Sequence, residues 1–245
     1  MTMPGERAWR SHIPALLLLL ALQAIVLLPM FPPWRWGTHL HNDDARITSY
    51  MISWGQHVLW TRPWDYFAIP LFHPVQGMKA VTETNQLMEL VTAPLRIFRN
   101  PVLGYNVLMV LNAVLAGMAA YALCFWVTRR RIAAVFGGLV FSGNGYMIWH
   151  LWGHPNICCT FPIPLAALCY LKWRKDGRAP AAIGVGVAMV LQFAASLYLG
   201  VILGIGLGAM WLFDAARAPR RILCRGELKL IGAVAAAMVV SLALA

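Results

Sequence analysis

The chain of 245 residues is 60% hydrophobic and only 12% charged, with a mean hydropathy of +0.64. That much apolar sequence exceeds what a water-soluble core needs and points to an all-α polytopic membrane protein. Lysines and arginines number 20 against 9 aspartates and glutamates, a net charge of +11, yet they fall in short runs between apolar segments. They therefore read as topology signals and lipid-headgroup contacts, and a nucleic-acid surface is excluded.

Arg7 and Arg10 precede an apolar run over residues 13–31, long enough for a first transmembrane helix. A cleaved signal peptide is the competing reading. No small-x-small cleavage site follows, whereas Trp34 and Trp36 suit an aromatic belt at the interface, so an uncleaved span is expected. Residues 32–100 then form a polar interval far longer than an ordinary connection, which usually signals function. It opens on His41-Asn42-Asp43-Asp44-Ala45-Arg46, two adjacent carboxylates beside a bilayer surface. Ile47, Tyr50, Met51, Trp54 and Val58 recur at helical spacing and predict an amphipathic helix lying on the membrane. A second such helix is expected from about Glu83, with Leu87, Leu90 and Val91 on one face and an end near Pro94.

Residues 102–245 hold the second to seventh spans of about seven: 102–127, 132–151, 157–171, two from a run over 180–213 split near residues 196–200, and a last one reaching Ala245. Arg129-Arg130-Arg131, then Lys172, Arg174, Lys175 and Arg178, then Arg217, Arg220, Arg221, Arg225 and Lys229 follow spans two, four and six. The turns at His154 and Tyr198 carry no lysine or arginine. The positive-inside rule puts the N-terminus in the cytoplasm and the aspartate loop outside the cytoplasmic (inner) membrane. Five cysteines without a C-x-x-C spacing read as small apolar packing. The last span ends without a polar tail, so the chain is expected to be the N-terminal part of something longer.

Certain stretches carry a resemblance. They are Asp44 through Trp54, Phe72-His73-Pro74, Thr82-Glu83-Thr84, Ala93-Pro94 and Asn100-Pro101-Val102-Leu103-Gly104-Tyr105-Asn106, followed by His150, His154, Ser196, Tyr198 and Gly200. In that order and topology the chain resembles the N-terminal half of the membrane domain of GT-C-type glycosyltransferases, and more narrowly the YfhO-like bacterial membrane proteins. The resemblance implies a membrane glycosyltransferase that moves a sugar from a polyprenyl-phosphate donor to a lipid, glycan or protein acceptor at the outer face.

Such a transfer needs a base at the acceptor hydroxyl and stabilisation of the leaving phosphate. Asp44 holds the register of the family's aspartate and is the expected base, with Asp43 second. Side by side the two would share a proton or a divalent cation, Mg²⁺ or Mn²⁺. The alternative is a solvated turn in which Asp44 caps the following helix. Glu83 is either a second carboxylate at the site or a helix-start charge. His73 is a phosphate or sugar contact, or simply a structural histidine before proline. His150 and His154 either donate to a pyrophosphate or sugar or belong to a solvent-facing turn, and Gly153 and Pro155 argue against one shared helix face. Arg46, Lys79, Arg96 and Arg99 are candidates to pair with the lipid phosphate or with headgroups. Tyr198 and Ser196 mark a tight outer turn that could line the cavity.

Two other function classes compete. A transporter or flippase component would place ionisable groups within its spans, which hold almost none here. A non-catalytic membrane assembly protein would tolerate loss of Asp44.

Overall fold

A computed structural model describes residues 11–38, 43–75, 77–82, 85–217 and 225–244, and among them every regular element is helical. Helix α1 (Ile13–Leu27) carries a proline in its first turn and is apolar nearly all round. Its exception is Gln23, buried, whose Nε2 donates to the Ala113 carbonyl at 3.0 Å and lies 2.9 Å from the Ser142 hydroxyl. An interior amide of this kind is retained by such partners, and here it ties three segments together.

The polar interval folds into α2 (Asp43–Thr61), α3 (Met78–Val81) and α4 (Gln86–Thr92), with 3-10 turns at Pro63–Asp65 and Ala93–Phe98. Both amphipathic helices exist, but their apolar stripes do not all face inward. On α2, Met51 and Val58 are buried while Ile47 and Tyr50 are exposed, and the inward face carries Ala45, Thr48, Ser49, Ile52 and Gln56. On α4, Leu87 is buried but Leu90 and Val91 are exposed, and the charged Glu89 takes the interior position.

Helix α5 (Pro101–Thr128) is the hub. Asn100 caps it, its side-chain oxygen accepting from the Val102 and Leu103 amides at 3.0 and 3.1 Å, and Pro101 supplies the first helical residue. It ends at Arg129 in the left-handed conformation (φ 58°). Helix α6 (Arg131–Ser142) packs along it more extensively than any other pair. A Cβ on Gly138 would run into the Gly117 carbonyl, so the close crossing requires glycine there.

The apolar run over 132–151 is not one helix. The chain breaks after Ser142 and restarts as α7 (Gly145–His150), because Asn144 turns out of the helix and its side chain caps the Met147 amide at 2.9 Å. The 157–171 run is likewise interrupted: α8 (Pro155–Cys158) ends before Thr160, and α9 (Pro162–Asp176) closes at Gly177 with φ 62°. The division expected in the 180–213 run falls at Ser196, extended between α10 (Ala179–Ala195) and α11 (Leu197–Arg217). Helix α12 (Arg225–Leu244) follows.

Two of these helices, α5 and α11, are long and apolar enough to cross a membrane by length and composition, and α1, α6 and α10 are shorter apolar helices. One core cluster, including Phe31, Ile52, Met88, Tyr105 and Met109, joins the 32–100 interval to the start of α5. A second joins α9 to α12 through Tyr170, Val185, Leu203 and Leu230. A third packs α1 on α5 and α6 through Leu19, Tyr121 and Val135.

Arg174 locks the α9–α12 group at one end. Its Nε lies 2.9 Å from Asp214 and its Nη1 2.9 Å from Glu227; Tyr170 and Trp211 donate to the same two carboxylates. Arg174→Ala would leave two acids facing each other, and a loss of about 1.5–3 kcal/mol is expected. The check is thermal unfolding of the purified protein in detergent, where an unchanged midpoint would contradict this role.

Candidate functional site

Helix α2 starts at Asp43, which places Asp44 inside the first turn instead of at the cap. A carboxylate there is favoured by the unpaired amides of the helix start. The Thr48 hydroxyl, one turn on, lies 2.8 Å from the Asp44 carbonyl and 3.3 Å from that of Gly153. This contact brings the turn after α7 against the start of α2. His154 Nε2 consequently sits 4.0 Å from Asp44 Oδ2, with the histidine side chain 35% and the aspartate 58% exposed.

His154 is itself held by His150. The His154 amide donates to the His150 carbonyl at 2.9 Å, so the helical turn continues past the end of α7 despite Gly153 and Pro155. The two rings meet edge to face at 5.4 Å, and Tyr146 lies 4.5 Å behind His150. The expectation that glycine and proline would keep these histidines off a common face thus gives way to one i→i+4 hydrogen bond. His150 Nδ1 is buried with no hydrogen-bond partner among the described residues. The group consists of an accessible carboxylate backed by two imidazoles. It can accept a proton at Asp44 and donate hydrogen bonds to an anion from the rings.

The remaining expected residues are dispersed. Arg46 is exposed on α2, its carbonyl accepting from the Ser49 hydroxyl at 3.0 Å. His73 is exposed and precedes Pro74 across a cis peptide bond. Tyr198 is 67% exposed in the first turn of α11. Neither His73 nor Tyr198 hydrogen-bonds to the Asp44 group. Glu83 and the side chain of Asp43 lie outside the described residues. No three His, Cys, Asp or Glu side chains converge among the described residues, so a divalent cation at the aspartate pair would have one described carboxylate, that of Asp44.

Behind the site lies a buried ionic network that sequence reasoning did not assemble. Lys79 and Glu89 are both fully buried and in direct contact. The Tyr66 hydroxyl donates to Glu89 Oε2 at 2.9 Å, and the Lys79 ammonium sits 3.9 Å above the Tyr66 ring. Gln56 on α2 donates from Nε2 to the Glu89 carbonyl at 3.1 Å and to the Thr92 hydroxyl at 2.6 Å. Gly55 makes room for the pair, since a Cβ there would fall on the Glu89 carboxylate. The network fixes the part of α2 around Gly55 and Gln56 against α4.

Burial pushes the Glu89 carboxyl up to about 7, against the opposing pull of Lys79 and the Tyr66 hydrogen bond. Burial also lowers the Lys79 ammonium from its ordinary value. Because the Glu89 pKa is raised from 4.5, the folded chain holds its proton where the unfolded chain has lost it. Its contribution to stability is therefore complete below pH 4.5 and is lost as the pH rises through about 7. The difference in stability between wild type and Glu89→Gln is expected to change across this window and to be flat below it. A difference that is constant from acid to neutral pH would contradict the assignment.

No family model, curated protein or solved structure matches the chain. The resemblance drawn from its residues therefore stands on those residues alone.

Proposed function

We propose that the chain is a seven-span glycosyltransferase of the cytoplasmic membrane, N-terminus inside, acting at the outer face on a polyprenyl-phosphate sugar. The observation that carries the reading is the accessible Asp44 carboxylate 4.0 Å from His154, in a group built from the polar interval and the end of α7. Membrane placement is supported by apolar surface left uncovered: only 22% of the most apolar window of α11 is buried, and Ile132, Phe136 and Val140 of α6 are exposed. The orientation is supported at the opposite end, where Arg129, Lys172 and Lys175 gather within 4.5, 5.4 and 5.2 Å of the Trp126 ring. Two basic clusters thus share one face, as the positive-inside rule requires.

In this reading the acceptor hydroxyl oxygen attacks the anomeric carbon and gives its proton to Asp44. The bond from that carbon to the phosphate oxygen breaks, and polyprenyl phosphate leaves with the electron pair. His154, positioned by His150, donates a hydrogen bond to the departing phosphate as charge develops on it. The Lys79–Glu89 network takes no part in the proton transfer.

The test is a panel of polyprenyl-phosphate sugars supplied to membranes containing the protein, with donor and polyprenyl phosphate followed by mass spectrometry. Loss of one donor with matching release of polyprenyl phosphate is expected. A panel left untouched in the presence of lipid, glycan and protein acceptors would count against the enzyme and favour an assembly role.

A further inference from the structure

We propose that a cavity between α2, the 93–98 turn and the start of α5 binds the phosphate of an anionic membrane phospholipid, with Arg96 and Arg99 as its cationic ligands. The proposal rests on the membrane placement above and is independent of the sugar chemistry.

The cavity, of about 240 Å³, is lined by Ser49, Ser53, Gln56, Arg96, Arg99 and Asn100 among others, and no carboxylate among the described residues contributes to its wall. Arg96 Nη1 donates to the Gln56 carbonyl at 2.8 Å, which orients the guanidinium without neutralising it. Neither arginine has an ion-pair partner among the described residues. Two uncompensated guanidinium groups in one polar cavity, with the Ser53 hydroxyl beside them, match the forked oxygens of a phosphate. The start of α5 adds only its field, because Pro101 has no N–H and the Val102 and Leu103 amides are held by Asn100.

A second, more open cavity shares Arg96 and Arg99 and is walled by Trp60, Leu90, Pro94 and Ile97. Trp60, Leu90 and Ile97 are 74%, 62% and 80% exposed. A soluble anion has no use for that apolar wall, whereas the chain attached to a lipid phosphate would lie along it. Depth agrees: α5 has 28 residues and extends roughly 42 Å at about 1.5 Å per residue. That exceeds a hydrocarbon core of about 30 Å and sets its first residues at headgroup level. Arg96 and Arg99 immediately precede them. Occupied, the site would pin the 93–98 turn to the bilayer at the end of the helix carrying Glu89.

The experiment is native mass spectrometry of the full chain in detergent, with phosphatidylglycerol or phosphatidylcholine added. Wild type is expected to retain one phosphatidylglycerol in preference to phosphatidylcholine, and millimolar inorganic phosphate should not displace it. Arg96→Gln with Arg99→Gln should weaken retention by on the order of thirtyfold, as for two cations removed from an anionic surface. Arg99→Gln alone, whose side chain makes no hydrogen bond within the described structure, provides a variant that preserves the Gln56 contact and should still weaken retention. Asp44→Asn should retain lipid like wild type, which separates this proposal from the catalytic one. Retention unchanged in the arginine variants would overturn the site. Displacement by inorganic phosphate would overturn the lipid as its occupant.

Discussion

Above the Glu89 pKa of about 7, Lys79→Met is expected to lower the stability of the protein by about 3–5 kcal/mol, because a buried carboxylate loses its cation. Glu89 is 1% exposed, and without Lys79 its remaining side-chain partner among the described residues is the Tyr66 hydroxyl. Glu89→Gln strands the ammonium instead and is expected to be comparably damaging. Replacing both, as Lys79→Met with Glu89→Leu, removes the charges together and should lose much less than the sum of the singles. A buried pair recovers its desolvation mainly through its partner, and a double-mutant cycle isolates that coupling. The readout is chemical or thermal unfolding in detergent, followed by protease sensitivity of the 43–98 region. Single variants as stable as wild type, or fully additive losses, would contradict a coupled pair.

Asp44→Asn is expected to reduce turnover on the order of 10²- to 10⁴-fold, the usual contribution of a positioned general base. The amide keeps the shape of the side chain and the helix start but cannot take the acceptor's proton. Because the loss belongs to the transition state, it should appear in kcat with KM little changed. His154→Gln should fall less, its imidazole assisting the leaving phosphate without accepting the proton. Equal losses in kcat and affinity for the Asp44 variant would point to donor binding instead of proton transfer.

The helical frame was largely legible because apolar runs, caps and breakers are local signals. The second span, expected from residue 102, starts at Pro101, and Ser196 fell where a break was expected in a run too long for one helix. The break at Asn144 is written in Ser142-Gly143-Asn144-Gly145, a local turn signal that the length and hydropathy of the surrounding 132–151 run outweighed. Helical spacing also located the stripes on α2 and α4 without saying what they face. On the proposed membrane placement the apolar stripe would turn to lipid while small and polar residues pack on protein, which would account for Ile47, Tyr50 and Leu90 outside and Thr48, Gln56 and Glu89 inside. Asp44, His150 and His154 were each identifiable as candidates, but their meeting depends on the Thr48–Gly153 contact across 105 positions of sequence. Lys79 and Glu89 lie on two separate short helices, α3 and α4, so no single helical periodicity links them.

The most direct test measures release of polyprenyl phosphate from its sugar donor by membranes carrying wild type or Asp44→Asn at equal abundance. Release by wild type, lost in the variant while its unfolding midpoint is unchanged, is the predicted result. Release at the wild-type rate by the Asp44 variant would contradict the assignment of the site.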